Sequence, residues 1–431
     1  MLARSLRPIT IVKTALALPV LAVALAATPA HGQIGDSTGL AELMFPEYYD
    51  RDVVLFVEGL NLDETQRVII EALFQDYLDG FTDAEAAMRQ RFEDIQTDLQ
   101  AADKTAIVAL ALQPLRDLIN DKDNLETRLL SGVQTVLTED QLAQWPSFVR
   151  KMRREKTMTR GRLDGESIDL FHIIRDMRLP DIAMRSITAI LAEYETALDQ
   201  GLIERNDSFQ RAQLNLLDSI SATQDSISTD EAERQVGLRV RIRDINDHYR
   251  EAIAQALPPD LGAQFRQMAL ERAYPQIYRK TLMQRTLTDA MNIPGLSEGT
   301  VTAIRDLQLS YEIELADANT AMLVEHQQTQ PKEMLERIDL LKARMSGQRP
   351  TRAAERARVN TYTQDEIAEP YMNTLLTLLT PEQFATLTHA QRFLERQQRL
   401  ERMRQAEKLD PASPTVPTVD EGRPGRGGGQ N

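Results

Sequence analysis

Three stretches of the chain carry one apolar pattern in the same register, 117 residues apart. Leu62, Leu179 and Leu296 open the copies. Ile70/Ile187/Ile304, Leu73/Ile190/Leu307, Tyr77/Tyr194/Tyr311 and Phe81/Leu198/Leu315 follow at matching offsets, and Val53/Leu170/Leu287 and Val57/Ile174/Met291 extend the match upstream. The apolar positions advance by three or four residues, which places them on one face of a helix. A period of this length means one supersecondary unit used repeatedly.

Each copy has a matching second half. Leu137, Leu257 and Leu379 correspond, preceded by Leu125/Ile245/Ile367, Leu129/Tyr249/Tyr371 and Val133/Ile253/Leu375, and followed by Trp145/Phe265/Leu387. The two leucines of a copy are 75, 78 and 83 residues apart in turn, so insertions fall in the middle of each unit, where loops tolerate them. The expected fold is all-α: three tandem helical-hairpin units of long, coiled-coil-like amphipathic helices, elongated or curved, with no significant β structure. Helical units are expected at 53–162, 168–285 and 286–404. Pro114 is expected to restart the chain in unit one, and Pro331 and Pro350 to bracket a short extra helix in unit three. Units two and three are expected to share a continuous helix near Arg285. A polar stretch, Arg160 to Gly165, reads as the separator of units one and two.

The ends read differently. Arg4, Arg7 and Lys13 precede an apolar run from Ala15 to Ala27, and Ala30-His31-Gly32 offers small residues for cleavage, so residues 1–32 are expected to be a signal peptide. At ~1.5 Å per residue the run reaches roughly 20 Å, too short for a bilayer core of ~30 Å. A loose lead-in is expected at 33–52 and a disordered Pro/Gly-rich tail at 405–431. The chain has no cysteine, which excludes a disulfide framework and a lipid-modified cysteine anchor. The expectation is an exported protein, periplasmic or secreted, without stable membrane insertion. Loss of residues 1–32 removes three positive charges from a chain of net charge −15, leaving about −18. That balance excludes general nucleic-acid binding, which needs cations for phosphates.

Four leucine-led turns carry helix-start chemistry. Leu137-Thr138-Glu139-Asp140-Gln141 and Leu379-Thr380-Pro381-Glu382-Gln383 each place a capping Thr three residues before a Gln that reaches back to the free amide, a capping box. The leading leucine is placed to pack on Leu142 or Phe384 as a staple. Leu62-Asp63-Glu64-Thr65-Gln66 is the same device with Asp as cap, and Leu296-Ser297-Glu298-Gly299-Thr300 keeps leucine and cap without the Gln. Unit two carries Pro180 and Pro258 after its leucines. A front and a back copy of this motif in one helical unit resembles the Spy/CpxP family of periplasmic proteins, known for paired LTxxQ motifs. The resemblance spans most of residues 53–404 by pattern. It implies kinked helical hairpins that dimerise into a curved cradle, and either ATP-independent chaperone activity or stress and metal sensing. Three units in one chain depart from the family's single unit, which would let the dimer surface be built within the chain.

Enzymatic chemistry has no support: the sequence lacks a Cys nucleophile, a Gly-rich phosphate loop and a GxSxG elbow. No cofactor and no metal are expected. Asp169/His172 and Asp244/His248 each make a two-ligand corner, but the glutamates and paired Glu-x-x-His of a di-metal bundle are absent. The third helix of each unit is basic. Arg150, Arg153 and Arg154 in unit one and Arg396 and Arg399 in unit three, with Trp145 and Met152 beside them, are the candidate client-binding residues. The alternative is that the basic helices pack against the acidic first helices. The function expected is chaperone-like holding of unfolded or aggregation-prone proteins; the alternative is an envelope structural or regulatory interaction protein bound to one partner.

Overall fold

A computed structural model describes residues 45–95, 104–221, 229–345 and 361–409, and these are helical with no strand among them. The helices in chain order are α1 (Val53–Gly59), α2 (Glu64–Asp94), α3 (Lys104–Thr135), α4 (Glu139–Thr157), α5 (Leu170–Met177), α6 (Asp181–Ser221), α7 (Thr229–Ala256), α8 (Pro259–Ala273), α9 (Pro275–Tyr278), α10 (Leu282–Met291), α11 (Glu298–Met345), α12 (Thr361–Leu378), α13 (Pro381–Ala385) and α14 (Thr388–Leu409). The chain is all-α. The signal-peptide expectation lies outside the described residues, as do Pro350 and the tail from residue 410.

Two compact units form. The first holds the described residues up to Pro275 together with Glu325–Met345 of α11; the second holds Gln276–Val324 and the described residues from 361 onward. In the first, α2 lies against α3, α6 against α7, and both α3 and α4 lie against α6. In the second, α10 packs on α14 and α12.

Matched positions of the three copies share burial. Ile70, Ile187 and Ile304 are fully buried, as are Val133, Ile253 and Leu375, while Tyr77, Tyr194, Tyr311, Trp145, Phe265 and Leu387 are also core. The tyrosines do more than fill space. Each phenol tip pins the segment entering its own unit: Tyr77 Oη accepts from the Glu47 and Tyr48 amides (2.9 and 3.4 Å), Tyr194 Oη from the Leu170 amide (3.4 Å), and Tyr311 Oη bonds Thr281 Oγ1 (2.9 Å). Positions 47 and 281 are two repeat lengths apart, so the outer copies use the same register. Burial pushes the Tyr77 and Tyr311 phenols up to about 12, so both keep their proton at ordinary pH.

Several expectations need correction. The lead-in is ordered from residue 45: Tyr48 packs edge-on against Phe56, Phe74 and Tyr77, and Asp52 is buried against Lys156. Pro114 lies inside α3 and Pro331 inside α11, without a restart at either. Proline has no N–H, so Pro331 leaves the Gln327 carbonyl one turn earlier without its helical donor. Arg243 Nη1 supplies that donor at 2.9 Å, which explains how the helix runs through. Units two and three do not share a helix near Arg285. Thr281 caps α10 and exchanges hydrogen bonds with Gln284 (2.9 and 3.1 Å), a T-x-x-Q start that ends any continuous helix there. The last helix runs through 405–409, residues expected in the tail.

Candidate functional site

The front and back motifs of the first repeat meet. Asp63 and Gln66 form one capping box and Thr138 and Gln141 the other. The two glutamine side chains, both buried, then bond each other: Gln66 Nε2 donates to Gln141 Oε1 at 2.7 Å and Gln141 Nε2 to Gln66 Oε1 at 3.0 Å. Their remaining N–H groups reach across to the opposite turn, Gln66 to the Val136 carbonyl (2.8 Å) and Gln141 to the Asn61 carbonyl (3.2 Å). Leu62 and Leu137 join the core beneath. Leu142 is 41% exposed, which corrects the expected staple, whereas Phe384 does pack with Leu379 on the third repeat's core. In that repeat Thr380 and Gln383 form the box and Ser297 caps through the Thr300 amide at 3.1 Å. Thr300 stands where Gln66 stands, so the reciprocal amide pair cannot form there; Leu296 is half-buried. In the first repeat the motif is a clasp that closes a hairpin: its leucines and glutamines face inward, while the capping Asp63 and Thr138 stay exposed.

The basic third helix α4 is held by acids of the next repeat. Arg150 Nε meets Glu195 at 2.9 Å, Arg153 pairs with Asp199, and Arg154 Nε meets Asp169 at 2.8 Å with its guanidinium over the Phe171 ring. Trp145, Met152 and Arg154 are buried. This corrects their expected place on a client-facing surface: Trp145 and Met152 belong to the first repeat's core, and Arg154 is held by Asp169 and Phe171. Arg396 bonds Asp365 at 2.9 Å, and Arg399 is exposed. Of the candidate residues, Arg399 is the one left fully in solvent.

The polar stretch read as a separator borders a buried ionic centre. Glu166 and Arg205 are fully buried and 2.9 Å apart, and Arg239 Nη1 reaches both Glu166 oxygens at 3.2 and 3.3 Å. The Arg162 and Leu163 amides also donate to Glu166, at 2.6 and 3.1 Å. Arg205 continues to the Thr157 carbonyl (2.5 Å) and Arg239 to the Arg160 carbonyl (3.1 Å). Asn246 bonds the Gly165 and Glu166 carbonyls and accepts from Tyr194 at 2.9 Å. Gly165 has a φ of +82° and its missing Cβ would lie 2.6 Å from Tyr274 Oη, so glycine is required there. Desolvation pushes the Arg205 guanidinium down while Glu166 opposes it. With four donors on one carboxylate, the network ties α4, α6 and α7 to the connecting loop. Sequence reading missed it, yet a signal existed. Arg205 occupies the register of buried Met88 and Met322, and a charge at a core position implies a buried partner.

Glu155, Asp169 and His172 bring potential ligand atoms within 4.8 Å of one another. Arg154 already neutralises Asp169, whose other oxygen caps the Phe171 amide at 2.9 Å, so the corner serves the fold. Asp244 is bonded by Arg243 (3.0 Å), His326 by Asp164 (2.7 Å) and His389 by Asp289 (2.7 Å). An open groove along α7 is lined by Val240, Arg241, Asp244, Ile245, His248 and Tyr249. No protein-family model, curated protein or solved structure matches the chain.

Large apolar side chains also remain on the surface. Val68, Ile69 and Leu142 in the first repeat, Ile182 and Met184 in the second, and Leu309, Ile313 and Leu376 in the third are exposed among charged neighbours.

Proposed function

We propose that the chain is an exported helical binding protein that holds unfolded or aggregation-prone proteins without a nucleotide. The observation that carries this reading is the recurrence, in all three repeats, of large apolar side chains left in water on charged helix faces. Leu309 and Ile313, each 60% exposed, are one turn apart on the same face of α11. Single exposed apolar residues are ordinary, but adjacent ones on a long helix form a surface for apolar segments, and surrounding charge adds steering. The N-terminal sequence and the paired motif support export and the family-like role. None of the described helices is long and apolar enough to cross a membrane. The test is light scattering of a denatured client, without ATP, at rising ratios of this protein: delayed aggregation, weaker at high salt, is expected. No delay at equimolar or higher ratio removes the reading.

A second reading, an envelope interaction protein with one stoichiometric partner, is favoured by the Glu166–Arg205–Arg239 centre and the α4–α6 ion pairs, which suit a stiff scaffold. A pull-down returning one partner at fixed stoichiometry, instead of a heterogeneous mixture, supports it over the first.

A further inference from the structure

The seam on α6 shows what the corresponding face of α11 is built to take. Displacing Glu195 by one repeat length gives Glu312, and displacing Ala192, Thr196 and Asp199 gives Leu309, Ile313 and Ala316. On α6, Glu195 accepts from Ser147 Oγ (2.9 and 3.0 Å) and Arg150 Nε (2.9 Å) of the basic amphipathic helix α4. The repeat relation holds further along the same helices. Gln210 Nε2 of α6 donates to Asp123 of α3 at 2.7 Å; at its counterpart Gln327 of α11 it is the backbone carbonyl that accepts, from Arg243 of α7, which stands in the register of Asp123.

On α11, residues Thr302, Asp306, Leu309, Ile313, Ala316 and Thr320 step by four and three along the side opposite buried Ile304, Tyr311 and Leu315, and all six are exposed. Such spacing is what a second helix fits. Asp306, Glu312 and Asp317 flank the stripe against one cation, Arg305, so its rim is acidic. Among the described residues Glu312 accepts from a neighbouring amide on its own helix, Gln308 Nε2 at 2.7 Å, a contact readily exchanged for a guanidinium.

We propose that this face of α11 is a docking site for a basic amphipathic helix of a client protein, seated as α4 is seated on α6. The proposal rests on the client-holding reading and names the chemistry of the client segment: apolar residues at helical spacing, with Arg or Lys placed to meet Glu312. A second copy of this chain is disfavoured as occupant, because its own α11 face would set a second acidic rim, Asp306, Glu312 and Asp317 against the single Arg305, beside the first.

The probe is a fluorescein-labelled synthetic peptide carrying the α4 sequence, residues 139–157, added to the full chain and followed by fluorescence anisotropy. Saturable binding is expected. It should weaken at least tenfold in the Leu309→Asp/Ile313→Asp double variant and severalfold in Glu312→Lys. A peptide with glutamate in place of Arg150, Arg153 and Arg154 should not bind. The altered side chains are exposed, and circular dichroism of each variant checks that helix content is kept. Absence of saturable binding, equal affinity for native and double variant, or concentration-dependent doubling of mass of the free chain would each overturn the proposal. Delayed client aggregation with no peptide binding would refute this site alone; failure of both would refute the client-holding reading as well.

Discussion

Gln66 and Gln141, 75 residues apart, exchange two amide hydrogen bonds while each also closes its own capping box. The pair converts two local helix starts into one long-range clasp. Each glutamine uses its carbonyl twice and both N–H groups, so deletion of either leaves buried groups without partners. Gln66→Ala is expected to cost ~2 kcal/mol in denaturant unfolding. Gln66→Ala/Gln141→Ala should cost less than the two singles summed, by roughly 0.5–2 kcal/mol. Additive losses would mean that the boxes act independently.

Glu166 is held by two buried arginines, and removing it strands both. Glu166→Ala is predicted to destabilise the first unit by about 3–5 kcal/mol. The other repeats show an apolar solution to the same positions: Arg205 corresponds to Met88 and Met322, Arg239 to Ile119, and Glu166 to Met283 in the third copy. The triple replacement Glu166→Met/Arg205→Met/Arg239→Ile should therefore unfold at higher denaturant than Glu166→Ala. The opposite order would show that the ionic centre cannot be replaced by packing.

Glu126 gives the first repeat a pH signature. Burial, with Glu47 nearby, raises its carboxyl from 4.5 to about 7, against the opposing pull of Lys122 and Arg153. The folded value lies above the free one, so the fold favours the protonated form. Its contribution is complete below about pH 4.5 and is lost as pH rises through about 7. Glu126→Gln should be more stable than the native chain at pH 8, by ~1–2 kcal/mol after allowance for solvent around a half-buried group, and no more stable at pH 4. Equal differences at both pH values would contradict the assignment.

The fold was legible where its causes are local. Periodicity and the Thr-x-x-Gln and Asp-x-x-Gln boxes follow from residues within a turn or two of one another. What escaped was set by residues far apart in sequence. Pro331 reads as a break until Arg243, 84 residues away, is seen bonding the carbonyl it frees. Arg150 and Arg153 read as surface cations until Glu195 and Asp199 are found across the seam. The Arg160–Gly165 stretch has the composition of a loop, and only the charges at core register, Arg205 and Arg239, could have marked it as buried. Thr281-x-x-Gln284 was visible and overlooked, because it follows no leucine.

The central claim is that one helical module is used three times, each copy pinned at its entry by a tyrosine hydroxyl. Its most direct test is the series Tyr77→Phe, Tyr194→Phe and Tyr311→Phe, with amide hydrogen exchange read by mass spectrometry. Each variant should lose ~1–2 kcal/mol and shed protection in its own entry segment, around Tyr48, Leu170 and Thr281 respectively. Loss of protection in one copy, with the other two tyrosines replaceable at no cost, would contradict the account.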